Sequence, residues 1–203
     1  MIDLYSANTT NGQRATIVLA ESGLPYTLHK VDTRSGGART PEFKKINPHA
    51  RIPAIVDSEG PGGKPFALAQ SWAIALYIAE KSDKLMPKDP AKRAMAMQWL
   101  FHIASDIQAM RPNQHMLKVA ADSSTAVTGW FDERQRELFE DVDKRLADKE
   151  YLAGELSIAD FALWTLYDRQ REMVEKNNLA NVVRWGKALD ARPALQSALA
   201  SLK

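Results

Sequence analysis

The chain has no cysteine among its 203 residues. Disulfides, thiolate metal sites and a protein nucleophile based on sulfur are excluded with it, so any thiol chemistry needs a ligand that brings the sulfur. A dominant charge is missing too. Lys and Arg number 27 against 25 Asp and Glu, with no basic cluster and no acidic tail, which argues against nucleic-acid and membrane-surface partners. No apolar run approaches the roughly 20 residues that span a bilayer, and Met1-Ile2-Asp3-Leu4 lacks the basic start and apolar stretch of a secretory leader. The expectation is a cytoplasmic protein. Internal repeats and low-complexity tracts are absent. His102 and His115 have no further candidate ligands at metal-binding spacing, so no metal is expected.

What is present falls into two unlike halves. The first alternates short β-like runs with helical stripes. Ile2 to Tyr5 predicts a strand, followed by the polar loop Ser6 to Gly12. From Gln13, Ala15, Val18, Leu19 and Ser22 form an i, i+3, i+4, i+7 stripe that Gly23 ends, which predicts a helix. Tyr26 to Val31 predicts a second strand, and Pro41-Glu42-Phe43 opens a short helix with proline in its first turn. Arg51 to Asp57 is a β-rich run with Pro53 near its start. Glu59 to Lys64, with three glycines and a proline, reads as a turn, and Phe66 to Leu68 as a returning strand. A helix over Ser71 to Lys81 completes the half.

Asp83 to Pro90 holds two prolines and four charged residues with little periodicity, and we read it as a linker. The domains are therefore expected at 1–82 and 91–203, joined by 83–90. Beyond the linker the strand signal disappears. Helical periodicity covers Ala91 to Met110, Thr125 to Ala147 and Ser157 to Glu175, with shorter helices at Ala180 to Asp190 and Pro193 to Leu202. Leu156-Ser157-Ile158-Ala159-Asp160-Phe161 carries a capping box, Ser157 with Asp160, inside a hydrophobic staple of Leu156 with Phe161. That signal is structural rather than catalytic.

Two positions in the first half invite a chemical reading. Proline inside an apolar β-run removes a ladder donor, so Pro53 either starts an edge strand or follows a cis bond to Ile52. In the cis form the Ile52 amide and carbonyl face outward, where an extended peptide can pair with them as an added strand. Ser71 stands at a helix start directly after a strand. It is either an ordinary N-cap or, with Gln70 and the free helix amides, a carboxylate site.

Both features at their observed spacing resemble the glutathione-site core of the cytosolic glutathione transferases. The resemblance runs from Asn47-Pro48-His49-Ala50-Arg51-Ile52-Pro53-Ala54-Ile55-Val56-Asp57 to Gln70-Ser71-Trp72-Ala73-Ile74-Ala75-Leu76-Tyr77-Ile78-Ala79. Tyr151-Leu152-Ala153-Gly154, Ser157-Ile158-Ala159-Asp160 and Arg192-Pro193 are similar to that family's second-domain marks. The resemblance implies an α/β thioredoxin-like N-terminal domain followed by an all-α helical-bundle domain. It also implies a cis Pro53, backbone pairing of glutathione with Ile52, a γ-glutamyl carboxylate held by Gln70 and Ser71, and a homodimer.

The absence of cysteine excludes the cysteine-using classes. The loop Asn8-Thr9-Thr10-Asn11-Gly12 instead resembles the bacterial nu-class pattern, in which a Thr hydroxyl and an Asn amide donate to the glutathione sulfur. Thr9 and Asn11 are the matching positions. On the residues alone, Asn11 also reads as the cap of the first helix, with Thr9 as a turn residue. Tyr5 and Ser6 are rival hydroxyls, Tyr5 being the better fit to a packed strand. The chain departs from the pattern at two further binding positions, where Ala38 and Trp130 replace a Gln and an Arg. Arg39, Arg134 and Arg136 are the nearby cations that can compensate, and Arg39 joins the expected glutathione site. The implied activity is glutathione conjugation or glutathione-dependent disulfide reduction. The alternative is a non-catalytic glutathione-binding or interaction module that keeps the fold.

Overall fold

The computed structural model describes residues 1–110, 113, 116–117 and 125–203; His115 lies outside them. In chain order the elements are β1 (Ile2–Ser6), α1 (Thr10–Ser22), β2 (Tyr26–Lys30), α2 (Pro41–Ile46), β3 (Ala54–Asp57), β4 (Phe66–Ala69) and α3 (Ser71–Ser82). They continue as α4 (Pro90–His102), α5 (Thr125–Arg145), α6 (Ile158–Tyr167), α7 (Arg171–Lys176), α8 (Ala180–Asp190) and α9 (Pro193–Ser201). Two compact units result, one of residues 1–86 with 190–203 and one of residues 87–189.

The first unit is built on a sheet of order β2-β1-β3-β4, in which β1 pairs parallel with β2 and antiparallel with β3, and β3 pairs antiparallel with β4. A parallel pair needs a crossover of a dozen or more residues, and α1 supplies it. Leu4 stands opposite Leu28 and Ile55 at the middle of the sheet. On one face α1 and α3 bury Ala15, Ile17, Val18, Leu19, Ile74, Ala75 and Ile78. On the other, Phe43 of α2 packs with Ala38 and Ala54, and Tyr5, Ile46 and Ile52 close around them. This is the thioredoxin-like layering.

Helix α1 starts three residues earlier than its apolar stripe predicts. Thr9, in extended backbone, accepts the Gly12 amide on Oγ1 at 3.1 Å and is the cap. Asn11 therefore lies in the first turn and does not cap. Gly12 makes the early start possible, because a Cβ there would stand 2.0 Å from the Ala7 carbonyl oxygen. Gly23 ends the helix at φ 74°, a conformation open to glycine at little steric cost.

The described part of the second unit contains helices and no strand. Asp89 caps α4 by accepting the Lys92 amide at 2.9 Å, and a π-helical turn over Ile103–Ile107 follows α4 directly. The helix predicted over Ser157 to Glu175 is two helices. Residues 168–170 form a turn between α6 and α7, where Asp168 accepts from Arg171 Nε at 3.0 Å. The buried Tyr167 and Val174 are seven residues apart, a spacing that an unbroken helix would also give. The capping box at Ser157 forms, Asp160 Oδ2 accepting from the Ser157 amide at 2.9 Å and from Ser157 Oγ at 3.1 Å.

Candidate functional site

A cavity of about 430 Å³ opens in the first unit between the start of α1 and the loop before β3. Thr9 and Asn11 line it from α1, Arg39 and Ala38 from a short 3-10 turn, and Ala50, Arg51 and Ile52 from the loop. The polarity of Thr9 follows from its cap. A hydroxyl has one proton, and since Oγ1 spends a lone pair on the Gly12 amide, the proton is available to an acceptor in the cavity.

The opposite wall is held by Asn47, which is buried. Its Nδ2 donates to the Arg51 carbonyl at 2.6 Å and its Oδ1 accepts the His49 amide at 3.1 Å. The Ile52–Pro53 bond is cis, and Pro53 is buried behind Ile52.

Helix α3 begins beside the site. Gln70, at its N-cap, is exposed and has φ 74° and ψ 112°. Non-glycine residues are rare there, and such backbone strain gathers at ligand sites. Ser71 is 3% exposed. Neither residue lines the cavity directly; Ser71 is tied to it by Arg14. This arginine of α1 is fully buried, donates from Nη1 to Asn11 Oδ1 at 2.9 Å and to Ser71 Oγ at 2.7 Å, and stacks on the Trp72 ring at 3.8 Å. Loss of solvation lowers its pKa to about 9, which leaves the guanidinium charged at neutral pH. Arg14 was not a candidate in the sequence. The available signal was a charge one helical turn after Asn11 and immediately before the apolar run of α1.

Of the remaining positions, Ala38 lines the cavity and the others separate from this group. Ala38 is buried against Phe43 and Ala54, so its methyl offers a ligand no hydrogen bond. Trp130 is exposed on α5. Arg134 pairs with Glu137 at 2.8 Å, and Arg136 with Glu133 and Glu140, all within one turn of α5. Tyr5 stacks on His29 with ring centroids 4.7 Å apart, and Ser6 is fully buried. Among the described residues no group of three or more His, Asp or Glu is placed to hold a metal ion, and no helix is long and apolar enough to cross a membrane.

Comparison with known proteins places relatives around this geometry. Residues 10–81 match the family described as glutathione S-transferase, N-terminal domain. The Escherichia coli disulfide-bond oxidoreductase YfcG is 39% identical over 98% of this chain and 94% of its own length. Among solved structures, a glutathione transferase family member from Pseudomonas fluorescens, with two glutathione bound, superposes with a TM-score of 0.89 at 33% identity, covering 98% of this chain and 92% of that one. A glutathione transferase from Pseudomonas putida, with one glutathione disulfide bound per subunit, gives 0.88 at 33% identity, covering 98% and 90%.

Proposed function

The chain belongs to the glutathione transferase family, in its bacterial nu-like type, and from that premise we propose that it binds glutathione at the start of α1 and holds the sulfur as a thiolate with Thr9 and Asn11. One observation carries the reading: Thr9, Asn11, Arg39 and Ile52 converge on a single cavity, beside an α3 N-terminus that presents Gln70 and Ser71. The tripeptide backbone pairs with Ile52 ahead of Pro53. Its γ-glutamyl carboxylate meets Ser71, Gln70 and the first amides of α3, and its glycyl carboxylate faces Arg39.

The chemistry follows from the donors. A free thiol has a pKa of about 8.5, and hydrogen bonds to the charged form together with the positive end of α1 lower it. The thiolate attacks one sulfur of a disulfide; a new S–S bond forms and the displaced thiolate leaves and is protonated. A second glutathione thiolate then attacks the mixed disulfide and glutathione disulfide is released. Because the chain has no cysteine, both electrons come from glutathione, two molecules for each disulfide reduced. Against an electrophilic carbon the same thiolate forms a thioether, either by expelling that carbon's leaving group as an anion or by adding to a conjugated double bond whose displaced electron pair takes up a proton. The second reading, a glutathione-binding or interaction module without turnover, draws on Ala38, whose buried methyl replaces a polar ligand contact.

We propose further that the protein works in the cytoplasm as a homodimer. Phe101, Val127 and Trp130, exposed on α4 and α5, supply apolar surface of the kind a subunit interface covers. The test is calorimetric titration of wild type and Ser71→Ala with glutathione, on preparations whose mass is taken by light scattering, followed by turnover of a glutathione mixed disulfide. We expect a mass of twice the chain, and binding about tenfold weaker in Ser71→Ala, as for a lost hydrogen bond to a charged group. Wild type that ignores millimolar glutathione rejects the reading. Binding without turnover selects the module.

A further inference from the structure

We propose that Arg14 is the positioning residue of this site, a single buried guanidinium that turns the donor side of both Asn11 and Ser71 toward the ligand. The proposal rests on the glutathione reading above and assigns a role that neither residue's own chemistry supplies.

A guanidinium has only donors. The side-chain amide of Asn11 and the hydroxyl of Ser71 can each either donate or accept, so what each presents to a ligand depends on its other partner. Arg14 Nη1 donates to Asn11 Oδ1 at 2.9 Å. The oxygen half of the amide is thereby committed to the protein, and the Nδ2 half is turned away from Arg14, on a residue that lines the cavity. The same Nη1 donates to Ser71 Oγ at 2.7 Å, which leaves the one hydroxyl proton of Ser71 for an acceptor elsewhere. The proposed ligand groups, a thiolate and a carboxylate, only accept. One donor-only cation behind two ambivalent groups therefore gives both of them the polarity the ligand requires.

The geometry also fixes a distance. Nη1 has two N–H bonds, about 120° apart in a planar group; one serves Asn11 on α1 and the other Ser71 on α3, 57 residues away in sequence from Arg14. The plane itself is held by its stack on Trp72 at 3.8 Å, and the fully buried setting removes competing water. The sulfur end and the carboxylate end of the tripeptide are thus referenced to one atom of the protein.

Arg14→Met keeps an unbranched side chain over Trp72 and removes the donors. The measurements are calorimetric affinity for glutathione and the apparent pKa of the bound thiol, read from thiolate absorbance across pH, on protein whose fold is checked by circular dichroism. Arg14→Met is expected to bind about tenfold more weakly and to raise the bound thiol's pKa by about one pH unit. A role confined to stability would leave that pKa where it is.

Asn11→Asp supplies the second arm and keeps the fold if Arg14→Met does not. Its carboxylate pairs with Arg14, so the melting temperature is expected to rise, while an acceptor replaces the donor facing the sulfur and the thiol pKa rises as well. Wild-type affinity and thiol pKa in folded Arg14→Met, or a lowered melting temperature in Asn11→Asp, overturn the role of Arg14 alone. Wild type without glutathione binding takes down this inference together with the reading beneath it.

Discussion

At the scale of single residues, Thr9 carries two roles that can be separated. Its Oγ1 accepts the Gly12 amide as the cap of α1, and its proton is the one offered to the sulfur. Removing a cap side chain costs about 1 kcal/mol, whereas losing a hydrogen bond to a charged group costs about 2 kcal/mol. Thr9→Ala should therefore lose about 1 kcal/mol of stability in urea titration and at least about tenfold in kcat/KM. Thr9→Ser keeps both oxygen roles and should stay close to wild type in both measurements. Equal losses in the two variants would point to the methyl group instead. Thr9, Asn11, Gln70 and Ser71 were open to a ligand reading in the sequence because they stand at strand–helix junctions, where caps and ligand donors gather. Arg14 was not, because a charge in a helix ordinarily reads as solvated. Its burial is decided by Ser71 and Trp72 on another helix.

Among the elements, α6 depends most on a single group. Asp160 is fully buried and accepts four hydrogen bonds. Leu152 N and Trp185 Nε1 donate to Oδ1, each at 3.0 Å, and Ser157 N and Oγ donate to Oδ2. Burial pushes its pKa up to about 6, and the four donors oppose that shift. The folded chain thus takes up this proton more readily than the unfolded chain, whose carboxylate titrates near 3.8. The group's contribution is complete below about pH 4, falls as pH rises to about 6, and is level above that; the change is about 3 kcal/mol. Urea unfolding of wild type and Asp160→Asn between pH 4 and pH 7.5 reads it directly. The stability difference in favour of wild type should shrink across that window, and a flat difference would mean that the four donors keep the carboxylate ionised throughout. The capping signal at Ser157 was local and legible. The break between α6 and α7 was not, since neither glycine nor proline marks it and the apolar spacing continues through it.

For the molecule as a whole, the informative feature is where the last helix goes. Sequence order groups Pro193 to Leu202 with the helical half, yet residues 190–203 belong to the compact unit formed by residues 1–86. Periodicity describes a helix but not its partner, and the partner here is α1. The link is Arg192, whose Nε and Nη2 donate to the two carboxylate oxygens of Glu21 at 2.8 and 2.6 Å across 171 residues of chain. Glu21's side chain is only 3% exposed, so removing the arginine alone leaves a buried charge uncompensated. Arg192→Ala should cost about 3 kcal/mol, the double variant Glu21→Ala with Arg192→Ala markedly less than the sum of the single changes. Because α1 also carries Thr9, Asn11 and Arg14, the same single variant should weaken glutathione affinity without touching the ligand. Additive costs in the double-mutant cycle, with affinity unchanged in Arg192→Ala, would show that the last helix is packed on this unit without setting the position of α1.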